Sequence, residues 1–330
     1  MFEWDDEWLA LHVEDVLDPD LEIVDPHHHL WVRSGQTFLL EQLQRDTSSG
    51  HRVTKTVFIE ASWSYRTDGP EHLRSVGETE AAAQAAERSA ETGSRIAGIV
   101  PFVDLASGPL VTDALDAHAA AAHGLLRGVR HAAAFDADPA VRRAHTRPPE
   151  GLMGTDAFRD GVRALADRGL TFDAWIYHRQ IPELTELARA VPQCTIVLDH
   201  LGGMLGVGPY VGRRDEIVAQ WKIDLAELAK CPNVNVKLGG IGMVMFGMGF
   251  EQRPTPPSSD DLVAAWGERI AYAIDQFGVD RSMFESNFPV DRQSCSYRTL
   301  WNAFKKMASG ASDAEKRALF NATATRVYRL

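Results

Sequence analysis

Short β-rich apolar runs recur eight times along the chain, and between most of them lie stretches with apolar positions at helical spacing or with many alanines. The runs are EIVDPHHHLW from residue 22, KTVFIEASW from 55, RIAGIVPFVDL from 95, LRGVRHAAAF from 126, LTFDAWIYH from 170, TIVLDHLGG from 195, VNVKLGGIG from 234 and RSMFESNFPVD from 281. The helical stretches cover 78–92, 110–122, 156–168, 182–190, 215–230 and 260–277. Strands that alternate with helices pair in parallel, because the crossover carries the chain back to the same end of the sheet. Eight such strands without a phosphate-binding GxGxxG favour an α/β fold of the (β/α)8 TIM-barrel type over an open doubly wound sheet.

Two insertions, 202–214 and 239–259, break the rhythm on the strand-to-helix side and are rich in Gly, Met and Pro. Barrel function lives in the loops on that side. The final SDAEKRALFNATATRVYRL predicts a helix capped by Ser312, with a Leu/Phe/Val/Tyr stripe expected to pack on the outside of the barrel. No internal repeat or linker divides the chain, so one barrel domain over 1–330 is expected, with an acidic extension over 1–21 and the terminal helix over 312–330.

Composition narrows the partners. The chain has 330 residues, 45% hydrophobic and 24% charged, and 34 Lys and Arg against 46 Asp and Glu leave a net charge of −12. A surface of that sign repels phosphate backbones and anionic lipids, which argues against nucleic acid and membrane and for a small-molecule substrate. No apolar run nears the roughly 18 residues of a membrane span and the start lacks a basic leader, so a cytoplasmic location is expected. Cys194, Cys231 and Cys295 are an odd number at wide spacings, unlike a disulfide framework or a zinc knuckle.

Of 12 histidines, His27, His28, His29, His131, His178 and His200 fall at or near the C-terminal ends of predicted strands, the catalytic end of a barrel. Residues two apart share a strand face, so His27 and His29 point together with Asp25 below them, while His28 turns toward the helices. Two imidazoles make half of a metal site; His178 and His200 are candidates to complete it and to take part in catalysis. Arg130 offers a donor fork to a carboxylate or phosphate, while His131 beside it is expected to pack. Glu60, Lys237 and Asp291 are charges at strand ends, costly unless paired or functional. Glu60 and Lys237 are equally consistent with structural pairing and with substrate binding. In the second insertion, Met243, Met245, Phe246, Met248 and Phe250 form an adaptable apolar segment, with Met243 and the strand-end Trp175 assigned to a substrate pocket. A homodimer contact through this loop is the competing expectation. Arg213 and Arg214 are either anion contacts or solvated surface.

The ordered motifs DPHHHLW, GVRH, FDAWIYH, VLDHLGG, VNVKLGG, SNFPVD and FNATATRVYRL resemble those of the amidohydrolase superfamily, in the branch of 2-pyrone-4,6-dicarboxylate lactonase and sugar lactonases. The resemblance runs from Glu22 to Leu330 and implies a barrel in which His27, His29 and His178 bind a divalent metal such as zinc or manganese, with His200 beside them. It also implies lactone, ester or amide hydrolysis, with decarboxylation in cousins. Where many relatives carry a ligand and base aspartate after the eighth strand, this chain has Asn287, so Asp291, four residues on, is the candidate base.

The expected activity is therefore lactonase-type hydrolysis of a small cyclic ester, with a carboxylated or aromatic lactone as the expected substrate and metal-assisted and metal-free variants both open. The alternatives are a metal-dependent decarboxylase or C–C hydrolase, and a barrel that only binds.

Overall fold

The computed structural model describes residues 4–33 and 35–330. Eight parallel strands form its centre: β1 (Glu22–His28), β2 (Arg52–Ile59), β3 (Arg95–Val100), β4 (Gly128–Arg130), β5 (Thr171–Ala174), β6 (Ile196–Leu198), β7 (Val234–Leu238) and β8 (Ser282–Phe284). They pair as a three-stranded and a five-stranded sheet. Backbone bonds close the two seams: Ile99 N donates to Leu125 O at 2.8 Å and Arg127 N to Ile99 O at 3.0 Å, while Asn287 N donates to His27 O at 2.9 Å and His29 N to Phe288 O at 2.7 Å. The result is a closed barrel, in which each of the eight strands is paired on both sides.

The six helices expected from the sequence form over Val76–Thr92, Leu110–Ala121, Asp156–Asp167, Ile181–Ala190, Arg214–Ala229 and Ser259–Phe277. Their starts follow local chemistry. Thr155 accepts from Phe158 N, and Ser258 forms a capping box with Asp261, each satisfying backbone N–H groups that have no partner in the first turn. A hairpin (Trp31–Arg33 with Gln36–Phe38) and helices at Leu40–Thr47 and Tyr297–Met307 were not expected. Three-residue strands are too short to show a period, and the Tyr297 helix follows the last strand motif with no break in composition.

Two expectations need correction. The terminal helix does not lie on the outside of the barrel: Ala324, Val327 and Tyr328 meet Val24, Val57, Ile59, Val100, Val197 and Met283 in a separate apolar cluster at the lower mouth. Those inward aliphatic side chains would otherwise face water, and the terminal stripe plugs the opening. The segment begins as expected at Ser312, with Glu315 completing its capping box, and then passes through a π turn at Ala318–Ala322.

Asp25 does not lie beneath His27 and His29. The register slips between Asp25 and His28, where one extra residue of β1 opposes β2, and such a bulge reverses which side faces inward. Asp25 therefore turns outward to accept from Ser286 N at 2.9 Å and from the Tyr297 hydroxyl at 3.0 Å.

From Trp4 on, the acidic extension runs along the loops, with Trp8 Nε1 donating to Arg253 O at 2.9 Å and Leu17 N to Asn302 Oδ1 at 2.9 Å; residues 1–3 of it lie outside the described residues. Among the described residues no helix is long and apolar enough to cross a membrane.

Candidate active site

The upper mouth of the barrel gathers ionisable side chains from seven strands. His27 Nε2 lies 3.3 Å from His29 Nε2, and the His27 and His200 rings stand 4.5 Å apart. Asp199, at the end of β6, completes a group in which His27, Asp199 and His200 each present a donor atom within 4.8 Å of the others. Glu285 follows β8 and bridges both imidazoles, its Oε1 2.6 Å from His200 Nδ1 and its Oε2 2.8 Å from His27 Nδ1. The pair Gly239-Gly240 after β7 makes this approach possible: a Cβ at Gly239 would lie 2.2 Å from Glu285 Cγ, and one at Gly240 2.6 Å from His200 Cγ.

Beneath the histidines, Lys237 is fully buried, with Nζ 2.8 Å from Asp173 Oδ2, 3.0 Å from Asp199 Oδ1 and 3.1 Å from His27 Nδ1. Beside them, Arg130 donates through Nε to Glu60 Oε1 at 2.8 Å and through Nη2 to the Glu60 carbonyl, which leaves Nη1 facing His27 Nε2 at 3.4 Å. His145 approaches the other Glu60 oxygen at 3.2 Å.

Burial sets the protonation of the site. It pushes His27 and His29 well below the usual imidazole range and His200 to about 3, with the Arg130 charge acting in the same direction on all three and that of Lys237 on His27 and His200, so the rings are neutral and offer lone pairs. Burial also raises Glu285 to about 8 against the pull of Lys237. Burial pulls Lys237 down, but Asp173, Asp199 and Glu285 together hold it above its ordinary value. Glu60 falls below the usual carboxylate range because His145 and Arg130 outweigh its burial.

The residues present fit a divalent ion. His27, Asp199 and His200 are an imidazole and carboxylate set suited to zinc or manganese. Neither buried oxygen of Asp199 has an aligned hydrogen bond, and Glu285 Oε2, also without one, stands ready to fix His27 Nδ1–H and turn Nε2 into a ligand.

Several expected residues take different places. His178 sits four residues beyond β5, in a 3-10 turn where its Nδ1 accepts from Leu205 N at 3.4 Å and its ring packs on Tyr210. In the ligand group Asp199 and His200 stand where His29 and His178 were expected: β5 ends at Ala174 and the chain has turned outward by His178, while His29 lies against Ile59 O and Asn287 Oδ1 instead. Asp291 is fully buried with both oxygens engaged, accepting from Asn287 Nδ2 and from Gly242 N at 2.8 Å each; it anchors the amide and does not reach the pocket. Glu60 and Lys237 are also enclosed and paired, as the structural alternative had it: Glu60 holds Arg130, and Lys237 pairs with the acids of β5 and β6. His131 packs as expected, accepting from Leu105 N between Phe102 and Phe158. Arg213 pairs with Glu216 at the surface, and Arg214 ties down the carbonyls of Phe246 and Gly247.

Asp173, Asp199, Glu285 and Tyr328 were missed. Their signal was in the text: an acid in each of LTFDAW, TIVLDH and RSMFES, and the lysine of VNVKL, are charges inside apolar runs that burial would forbid unless they met one another.

Asn287 and His200 both adopt left-handed backbone, at φ 55° and 53°, a strain of roughly 1 kcal/mol or more each that tends to persist where function requires it. Asn287 Nδ2 is pinned by Asp291, so its Oδ1 faces His29 Nε2 at 3.3 Å. His29 Nδ1 donates to Ile59 O at 2.9 Å, which makes Nε2 the acceptor.

Above this floor lies a cavity of about 110 Å3, lined by His29, Arg130, His200 and Asn287 below and by Trp31, Trp175, Met243 and Met245 at the sides. Arg33, Arg142, Arg143 and His145 form its rim, and among the described residues no carboxylate lines it. A larger groove of about 900 Å3 beside His178 and Tyr210 shares none of these residues; the chemistry belongs to the smaller cavity, where the histidines converge.

A family model described as Amidohydrolase matches residues 24–330, so the chain belongs to the amidohydrolase family. The Sinorhizobium fredii protein y4mH is 32% identical over 94% of this chain and 99% of its own. An L-fucono-1,5-lactonase of Burkholderia multivorans is 29% identical over 72% of this chain and 73% of its own. The crystal structure of a Burkholderia multivorans amidohydrolase with bound zinc has a TM-score of 0.73 at 25% identity and covers 93% of this chain and 99% of that one.

Proposed function

We propose that this member of the amidohydrolase family is a lactonase that opens a small cyclic ester carrying a carboxylate. The observation that carries the reading is the cavity lining. In a chain of net charge −12, the described residues that line this cavity include four arginines and three histidines and neither Asp nor Glu, an arrangement that concentrates an anionic substrate in an otherwise repelling field. Trp31 and Trp175 supply flat faces for a ring, and a volume of about 110 Å3 suits a single ring compound. The lactonase name of a relative at 29% identity supports the reaction class.

A divalent ion held by His27, Asp199 and His200 would polarise the carbonyl and acidify a water. The chain's own residues do the rest. Arg33 and Arg143 on the rim orient the substrate carboxylate. Arg130 Nη1, with the rest of the guanidinium fixed on Glu60, donates to the oxygen that gains charge as water adds to the carbonyl. His29 Nε2, the acceptor of a ring locked by Ile59, takes the proton of the attacking water. Asn287 Oδ1, 3.3 Å away, then accepts from the new Nε2–H, so the amide completes the base where an aspartate was expected to be one; as the adduct collapses the ring C–O bond breaks and the same proton passes from His29 to the leaving ring oxygen, which gives the hydroxy acid. Trp175 and Met243 shape the pocket walls.

The test is a panel of neutral sugar 1,5-lactones and carboxylated unsaturated lactones, followed by acid release in a pH-stat with zinc or manganese present. Hydroxy-acid formation from a carboxylated lactone, without carbon dioxide, supports the proposal. Carbon dioxide release from an aromatic acid with no lactone opening would replace it with a decarboxylase.

A further inference from the structure

Lys237 is placed where it competes with a divalent ion for two of the residues that would hold it. Its ammonium lies 3.0 Å from Asp199 Oδ1 and 3.1 Å from His27 Nδ1, two of the three residues of the ligand group. It cannot swing away: it is fully buried, anchored at 2.8 Å on Asp173 Oδ2, and the Tyr328 ring lies 5.4 Å below it. Asp173 is itself fixed, accepting from the Tyr328 hydroxyl at 2.5 Å and from Thr171 Oγ1 at 2.8 Å.

This placement wires the site in two ways. With Lys237 donating to His27 Nδ1, the His27 proton resides on Nε2 and points at the His29 Nε2 lone pair 3.3 Å away, and His29 Nδ1–H ends on the Ile59 carbonyl. That chain is complete without a metal. With His27 Nδ1–H turned to Glu285 Oε2, which stands 2.8 Å away with no aligned donor, His27 Nε2 becomes a lone pair available to an ion. Lys237 and Glu285 thus contend for one nitrogen, and Asp199 is shared between the lysine and any ion.

We propose that Lys237 is a built-in stand-in cation: it neutralises Asp199 and holds His27 when no divalent ion is present, and it weakens the hold on the ion when one is, so that the metal exchanges rather than stays for the life of the protein. The inference rests on the metal-binding reading of His27, Asp199 and His200 and not on the lactone reading, since neither of its measurements uses a substrate.

The first measurement is on the wild-type protein. Zinc is titrated against a chromophoric chelator, and thermal unfolding is compared before and after dialysis against a stronger chelator. Reversible zinc binding, with the metal-free protein melting within a few degrees of the loaded one, is expected. Zinc that resists the chelator, or a metal-free protein that loses its folded structure, would overturn the proposal.

The second measurement removes the lysine, as Lys237→Gln and as Lys237→Met/Asp173→Asn, which deletes equal and opposite buried charges and so avoids an orphaned acid. Zinc is expected to bind the folded variants at least tenfold more tightly and to raise their melting temperature by more than it raises that of wild type. Equal or weaker zinc binding in a folded variant would contradict a competing role for Lys237. Should neither variant fold, the wild-type titration and melting comparison alone decide the proposal.

Discussion

The two mouths of the same barrel are built on opposite plans. The lower one is filled by Val24, Val57, Ile59, Val100, Val197 and Met283 against Ala324, Val327 and Tyr328. The upper one encloses Asp173, Asp199, Glu285, Glu60, Lys237 and Arg130 with almost no exposure. Burying apolar surface stabilises a fold by about 25 cal/mol per Å2, whereas buried ion pairs roughly break even against well-packed apolar groups. The lower mouth therefore supplies stability, and the upper one is kept for what its charges do. Tyr328 joins the two, its ring in the plug and its hydroxyl on Asp173.

The comparison breaks most sharply if chemistry does not follow the upper mouth. His29→Asn is expected to lower kcat by roughly 10²–10⁴-fold, the usual size of a lost proton-transfer group, with melting temperature nearly unchanged; steady-state kinetics beside calorimetry checks both. In the plug, Tyr328→Ala is expected to cost about 3–5 kcal/mol in urea unfolding, as for other large buried rings. Tyr328→Phe keeps the packing and loses only the link to Asp173, so it should cost far less.

Asn287→Asp separates the two roles more finely. The new carboxylate would face Asp291 across the 2.8 Å now spanned by an amide hydrogen bond, and two acids at that distance share one proton. A loss of about 1–3 kcal/mol at neutral pH, relieved as pH falls, is expected, in place of the gain in activity that a restored acid would suggest.

The smallest effect lies in the helical layer, away from both mouths. Burial pulls His118 down to about 4, while its ring bonds Thr79 and Ser75. The unfolded chain takes up the proton first, so the stability tied to the neutral ring is present above about pH 6.5 and is lost as pH falls through about 4. His118→Asn should make the fall in melting temperature between pH 6.5 and 4 shallower.

The fold was largely legible because strands and helices of this class announce themselves by period: six helices appear with ends within two residues of expectation. Parity at a bulge did not, since a single extra residue between Asp25 and His28 turns Asp25 outward and leaves no mark in composition. Of the site, His27, His29, His200, Arg130 and Asn287 could be read from strand ends. His178 could not be placed, because one long apolar run conceals where β5 stops. The acids around Lys237 were overlooked for a related reason: each looks like an isolated charge in its own strand, and only barrel closure brings them together.

Selectivity on the cavity rim decides whether the substrate carries a carboxylate. The ratio of kcat/KM for a carboxylated lactone to that for a neutral sugar lactone of the same ring size is measured in wild type and in Arg33→Met/Arg143→Met. The account predicts a wild-type ratio well above one that falls at least tenfold in the variant, mainly through KM, while turnover of the neutral lactone holds. A wild-type preference for the neutral lactone, or a ratio unmoved by removing both arginines, would contradict it.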